Sequence, residues 1–198
     1  MLSGLLYILQ SLLDLYLGAM ALRLAMQWVR ADYRNPIVQF IVKITDPLVK
    51  PLQRMLGRIY KIDMATLVVF LALQWLTVAL LASLACLGMP DLLSLFGVAV
   101  VRALRTVLNV YFFMIFGYVL LSWVAGGGYN PSVAMVSEVL RQLVQPVMAP
   151  VQRLIPPIAG FDLSPVFVLL GLGAVTRALV GPAQQMVAGF SCIVGAIV

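Results

Sequence analysis

Two stretches of this chain repeat one another. Pro47, Pro51, Arg54 and Asp63 recur as Pro146, Pro150, Arg153 and Asp162, each pair 99 positions apart. Upstream, Trp28-Val29 leads Asn35-Pro36 as Trp123-Val124 leads Asn130-Pro131, at a spacing of 95. A duplicated chain is expected to fold as two similar units, here 1–90 and 91–198. The two spacings differ by four residues, close to one helical turn of 3.6. An insertion of one turn leaves a helix presenting nearly the same face, so the repeated stretches are expected to be helical.

What lies between them decides the environment. The chain is 63% hydrophobic with mean hydropathy +1.07, well above the apolar share of roughly half in soluble domains. Apolar runs at about 5–29, 64–89, 107–125 and 163–180 match the length of about 20 residues that a span requires. The expected fold is all-α: a polytopic membrane protein whose four transmembrane helices form two repeated helical hairpins, with interfacial amphipathic helices between spans. The run from Leu92 to Val101 is too short to span, so 92–106 is expected to be an interfacial helix leading into the third span. Gly181-Pro182 is expected to end the fourth span, leaving 183–198 as an apolar tail on or partly in the membrane, with a fifth span as the alternative. No Lys or Arg precedes Arg23, so the first run is expected to be a retained helix rather than a cleaved leader.

The repeated stretches carry their own helix signals. Asn is a strong N-cap, and Pro at the first helical position gives up an amide that has no partner there. Asn35-Pro36 and Asn130-Pro131 are therefore expected to open helices. Ile37, Phe40, Ile41, Ile44 and Leu48 fall on one face, with Gln39, Lys43 and Asp46 opposite. Asp46-Pro47 reads as a second cap, opening a helix with Lys50, Arg54, Arg58 and Lys61 on its basic side. An apolar face beside a basic one is the pattern of a helix lying among lipid head groups; an ordinary charged connection is the plainer reading. In the second copy Val133, Val136, Leu140, Leu143 and Val144 make the apolar stripe, and Glu138, Arg141, Gln142 and Gln145 the polar one. Asp63 and Asp162 are expected to cap the spans that follow.

Charge supplies an orientation. Lys and Arg favour the cytoplasmic side, and most of them lie in the two repeat loops, so those loops are expected to be cytoplasmic and both termini outside. The net charge of +6 is then explained by anionic lipid head groups rather than nucleic acid.

Two ionisable residues fall inside the first span. A carboxylate at membrane depth is costly and marks a site to be explained. Asp14 and Arg23 lie nine residues apart on opposite sides of the helix, so Asp14 is expected to pair with Arg102, Arg105 or Arg177, while Arg23 snorkels towards the surface. The pair either fixes helix packing or lines an ion path. Arg54 and Arg153 either clamp head-group phosphates, dock a partner, or lock onto Asp63 and Asp162. With no His and only Cys86 and Cys192, no metal site and no catalytic constellation is expected, and hence no cofactor and no enzyme. Gly126-Gly127-Gly128 lacks the lysine and the strand context of a phosphate loop.

The residues Trp28, Asn35, Pro36, Asp46, Pro47, Pro51, Arg54 and Asp63, with their second set from Trp123 to Asp162, resemble the YggT (YlmG-related) family. The second set departs from the pattern in having Gln145 where the first has Asp46. The resemblance implies a small multi-pass protein of the bacterial cytoplasmic (inner) membrane or of plastids, without known enzymatic activity. It also implies links to osmotic or envelope stress, to cell-division or nucleoid organisation, and in plastids to cytochrome assembly. Three functions stay open: a scaffold or assembly factor with an unidentified membrane-protein partner, a transporter or channel subunit requiring homo-oligomerisation, and a cofactor-assembly factor.

Overall fold

The computed structural model describes residues 2–55, 58–59, 62–85, 91–125, 131–154 and 164–186. Six helices carry the fold: α1 (Leu2–Val29), α2 (Pro36–Gln53), α3 (Met64–Ala85), α4 (Leu92–Ala125), α5 (Pro131–Leu154) and α6 (Ser164–Met186). A two-residue antiparallel pair, β1 (Arg58–Ile59) with β2 (Ile62–Asp63), precedes α3. Each half is thus a long apolar helix, a helix carrying two internal prolines and a second apolar helix. Of the motif residues, Asn130 and Asp162 lie outside the described residues, as does the tail beyond Met186.

Four helices are long and apolar enough to cross a membrane: α1, α3, α4 and α6. Their surfaces say the same. Leu5, Ile8 and Leu12 on α1, Leu76, Leu80 and Leu84 on α3, and Phe167 and Leu170 on α6 are all exposed. Arg23, Gln74 and Arg102 are buried instead. Apolar outside and polar inside is the arrangement that lipid, not water, selects.

Three expectations are corrected. The first is the break at Asp46-Pro47: α2 runs unbroken through Pro47 and Pro51, and α5 through Pro146 and Pro150. Proline inside a helix removes one hydrogen bond and bends the axis away from the ring. All four prolines sit on exposed positions, so the amide each one lacks is missing from the outer side of its helix. The second concerns 92–106, expected as a separate interfacial helix. It is continuous with 107–125, giving one helix of 34 residues, about 51 Å long. Arg102 and Arg105 suggested a surface boundary, but Arg102 is buried and no Gly or Pro falls between Gly97 and Gly117 to break the helix where the boundary was expected. The third is Gly181-Pro182, through which α6 continues to Met186.

The ends of the elements follow local chemistry. Asn35 caps α2, its Oδ1 accepting from the Ile37 amide at 2.9 Å, with Pro36 at the first helical position. At the end of α1 the Ala31 amide reaches the Met26 carbonyl and the Arg30 amide the Gln27 carbonyl, a Schellman arrangement. The residue in left-handed conformation there is Arg30, with φ 55°, a place usually taken by glycine.

The core joins the halves. One cluster packs Met26 of α1, Val38 of α2, Ile115 of α4 and Leu143 and Val144 of α5; another packs Leu17 and Met20 of α1, Val49 of α2, Phe70 of α3 and Ala103 of α4. Helices α1 and α4, which occupy equivalent places in the two repeats, meet at the centre. Asp14 touches Arg102, and further along a methyl on Gly18 would stand 4.0 Å from Val110 Cγ2. Contacts that advance together along both helices show that α1 and α4 run the same way. The repeats are therefore of the parallel kind, for which the relating axis lies along the membrane normal.

Candidate functional site

A cleft of about 750 Å³ opens between α1 and α4. Its walls are built from the same positions of both repeats. Gln10 and Arg105, Asp14 and Asn109, Leu15 and Val110, Gly18 and Phe113, and Ala19 and Met114 are each 95 apart; Ile41 and Leu140, from α2 and α5, are 99 apart. The cleft thus lies where the duplicated units face one another. The sequence contains this relation as polar residues recurring at matched depths of two apolar helices, but it becomes visible only once α1 and α4 are known to be neighbours.

Asp14 is one pole of the cleft. Its Oδ1 accepts from Arg102 Nη2 at 2.5 Å, so Arg102 is the partner among the three arginines considered. The pair is unequal: the Arg102 side chain is 5% exposed and that of Asp14 47%. The carboxylate faces the cleft while the guanidinium is enclosed by protein. Arg102 Nη1 is buried without a hydrogen-bond partner. Arg105, one turn on, lines the same wall. Behind it, Gln74 Nε2 donates to Thr106 Oγ1 at 2.9 Å and ties α3 to this part of α4.

The second polar centre sits at the other end of α1. Arg23 was expected to snorkel, and it does not. It is buried, and its Nη1 donates to Thr45 Oγ1 at 2.7 Å, Asp46 Oδ1 at 2.9 Å and the Val42 carbonyl at 3.3 Å. The inner face of α2 offers three acceptors within one turn, so enclosure there is cheaper than extension to water. Asp46 is therefore a charge partner and not a helix cap. It also accepts from Lys50 at 2.8 Å. Burial pushes the Asp46 carboxyl up, but the hydrogen bonds from Lys50 and Arg23 outweigh it and hold the group below its ordinary range. In the second repeat the equivalent positions are Tyr118, Val144 and Gln145: both charges are gone together.

A third node fastens the first repeat. Asp63 caps α3, its Oδ1 accepting from the Ala65 amide at 3.2 Å, while its Oδ2 accepts from Thr66 Oγ1 at 3.1 Å and from Gln53 Nε2. Gln27 of α1 accepts from the Asp63 amide at 3.2 Å. Arg54 does not lock onto Asp63, because Gln53 occupies that carboxylate. Arg54 and Arg153 are exposed at the ends of α2 and α5, and no ion pair of either is found among the described residues. Asp63→Ala is expected to destabilise the protein by about 1–2 kcal/mol through loss of the cap. Asp63→Asn, which keeps an acceptor, is expected to lose less than half of that; unfolding in detergent measures both.

Helix α2 divides into three stripes. Val38, Thr45 and Val49 are buried, Phe40, Ile44 and Leu48 are exposed and apolar, and Lys43, Lys50 and Arg54 are exposed and basic. Helix α5 differs. It buries Val139, Leu143, Val144 and Met148, and its outer side carries Glu138 paired with Arg141 at 2.9 Å. The two helices touch where Asn35 Nδ2 donates to the Met135 carbonyl at 3.4 Å.

The CCB3/YggT family model matches this chain twice, over residues 2–84 and 97–183. The chain belongs to the CCB3/YggT family. The two matches coincide with the two helical units, so family membership and internal duplication are one observation. Relatives include the uncharacterized protein PA0392 of Pseudomonas aeruginosa, 38% identical over 84% of this chain and 83% of that protein. Another is an uncharacterized protein of Vibrio alginolyticus, 34% identical over 84% and 88%. The uncharacterized protein YggT of Escherichia coli is 30% identical over 83% and 82%. No solved structure matches. With four apolar helices and this family, the chain is a multi-pass membrane protein.

Proposed function

We propose that this family member is a non-enzymatic membrane scaffold that presents α2 and α5 as a platform at the cytoplasmic face of a bacterial inner membrane. The observation that carries the reading is the three-striped α2. One stripe is anchored in the bundle through Val38, Thr45 and Val49. A second, Phe40-Ile44-Leu48, is free to enter the acyl boundary, and the third, Lys43-Lys50-Arg54, to meet anionic head groups. A helix held this way is fixed in orientation before any partner arrives, which lowers the ordering cost of docking. The setting in osmotic or envelope stress, or in cell-division organisation, follows from the family resemblance alone.

The cleft supports a second reading, a transporter subunit, because Asp14 and two arginines line a cavity among spanning helices. Reconstitution of the purified protein into phosphatidylglycerol-containing liposomes separates the two. The scaffold reading expects proton and potassium flux at the level of empty liposomes. A flux that Asp14→Asn abolishes sinks it in favour of transport. Orientation is tested apart from this: in a variant with Cys86 and Cys192 replaced by Ser, Arg54→Cys is expected to react with a membrane-impermeant thiol reagent only after the membrane is opened.

A further inference from the structure

We propose that copies of this chain associate side by side in the membrane, with Arg177 of one copy paired to Asp14 of the next. The contact uses α6 and α1 and does not depend on the platform formed by α2 and α5.

Arg177 points where a single copy has nothing to meet it. Phe167, Leu170, Ala174 and Arg177, spaced three and four apart, share one exposed face of α6. No hydrogen bond or ion pair of Arg177 is found among the described residues. Charged side chains within spans face the bundle interior or water and pair with one another. Arg177 lies about 20 Å along α6 from Ser164 and about 14 Å from Met186, by helical rise. Helical side chains lean towards the N-terminus of their helix. Here that direction is away from the nearer end, so reaching for that surface does not relieve the charge. In a lone copy the guanidinium stands among acyl chains.

Asp14 is its complement. The carboxylate is 47% exposed, although Leu5, Ile8 and Leu12, all exposed, continue the apolar surface of α1 beyond it. Arg102 holds it from the enclosed side. A carboxylate accepts from more than one donor, and the outer side of this one opens past Leu15, itself 74% exposed. One helix thus shows lipid a cation and another shows it an anion.

Depth decides whether they can meet. Copies inserted the same way are related by rotation about the membrane normal, so only groups at one depth can touch. The chain returns through α6, which therefore starts at the face where α1 and α4 end. Asp14 lies about 22 Å from the end of α1 at Val29, against about 20 Å for Arg177 from the start of α6. The packing gives the same level independently. Val168 of α6 shares a core cluster with Met114 of α4. Nine residues on from Val168 is Arg177, and nine back from Met114 is Arg105, which lines the cleft together with Asp14. Within one copy the two charges stay apart, because α6 packs chiefly on α4 and α5 while α1 packs on α2, α3 and α4. Ala174 and Gly171, exposed on α6, are small enough for another helix to come close. A contact between two different patches, repeated about one axis, closes into a ring, and in it every Arg177 and every Asp14 has a partner.

The test uses the full chain in bacterial membranes, with Cys86 and Cys192 replaced by Ser. One tagged copy carries Leu15→Cys, next to Asp14. A second copy with a different tag carries Ala174→Cys, one turn before Arg177. On oxidation a covalent dimer bearing both tags is expected. Its yield should exceed at least tenfold that of Leu15→Cys with Leu76→Cys, a lipid-facing position on α3 about 18 Å from the start of that helix and so at nearly the same depth. Adding Arg177→Gln to the second copy is expected to lower the yield about tenfold, the scale of one hydrogen bond to a charged group. Arg177→Lys, which keeps the charge, is expected to restore most of it. If Arg177→Gln does not accumulate in the membrane, the comparison of Ala174→Cys with Leu76→Cys decides alone. A yield no higher than that of the Leu76→Cys pair overturns the proposal, as does a yield that Arg177→Gln leaves unchanged. Equal loss with Gln and with Lys would make the contact one of shape and overturn the charge pairing.

Discussion

Asp14→Leu is expected to destabilise the folded protein by about 3 kcal/mol. The cost does not come from losing a favourable contact. It comes from Arg102, whose side chain is 5% exposed and which would keep its charge with no carboxylate to answer it. Taking both groups away removes that penalty, so Asp14→Leu with Arg102→Leu is expected to recover most of the loss, leaving about 1 kcal/mol for imperfect packing. Arg102→Leu alone should fall in between, because Asp14 is 47% exposed and can be hydrated from the cleft. The order Asp14→Leu worst, Arg102→Leu intermediate, double variant mildest is the signature of an ion pair enclosed on one side. Detergent unfolding of the four proteins in a double-mutant cycle reads it. Equal losses for Asp14→Leu and the double variant would mean that Arg102 is solvated from elsewhere.

How much of this was legible in the sequence differs by kind of feature. The all-α membrane architecture and the duplication rest on composition and spacing, which are additive along the chain, and both are in the structure. Caps were legible where the cap is local: Asn35 and Asp63 satisfy amides two residues on. Proline was misleading because its cost depends on where the ring points. On an exposed face Pro47 and Pro51 are carried within α2 without ending it, and exposure is a tertiary property. The arginines were the harder case. Arg23 and Arg102 both resemble boundary markers, since guanidinium near an apolar run usually marks a surface. Both are buried, because acceptors from another helix meet them: Thr45 and Asp46 for one, Asp14 for the other. A single-chain pattern holds no direct record of such meetings. The cleft was half legible. Asp14 stood out as a charge in a span, while Asn109 gains meaning only as its repeat-related counterpart across the interface.

The asymmetry between the repeats carries the last large effect. Arg23→Met is expected to cost about 2–3 kcal/mol, since it strips Thr45 and Asp46 of an enclosed charged donor. The Asp46 side chain, 18% exposed, would retain Lys50, which keeps the loss below that at Asp14. In the second repeat the counterpart of Asp46 is Gln145, an exposed neutral position, and Gln145→Leu is expected to stay within about 0.5 kcal/mol. Acidity separates the charge from the packing. The Asp46 carboxyl is held below its ordinary range by Lys50 and Arg23 against the opposing effect of burial. Folding therefore favours the ionised form, and that stabilisation is complete above the ordinary carboxylate value of about 3.9. It fades as pH falls through the lowered value in the folded protein. Asp46→Asn is thus expected to be less stable than the parent at neutral pH by a constant margin, and the two curves should converge only below about pH 4. Convergence near neutrality, or a margin that grows on acidification, would show that the Arg23–Asp46 contact contributes nothing through its charge.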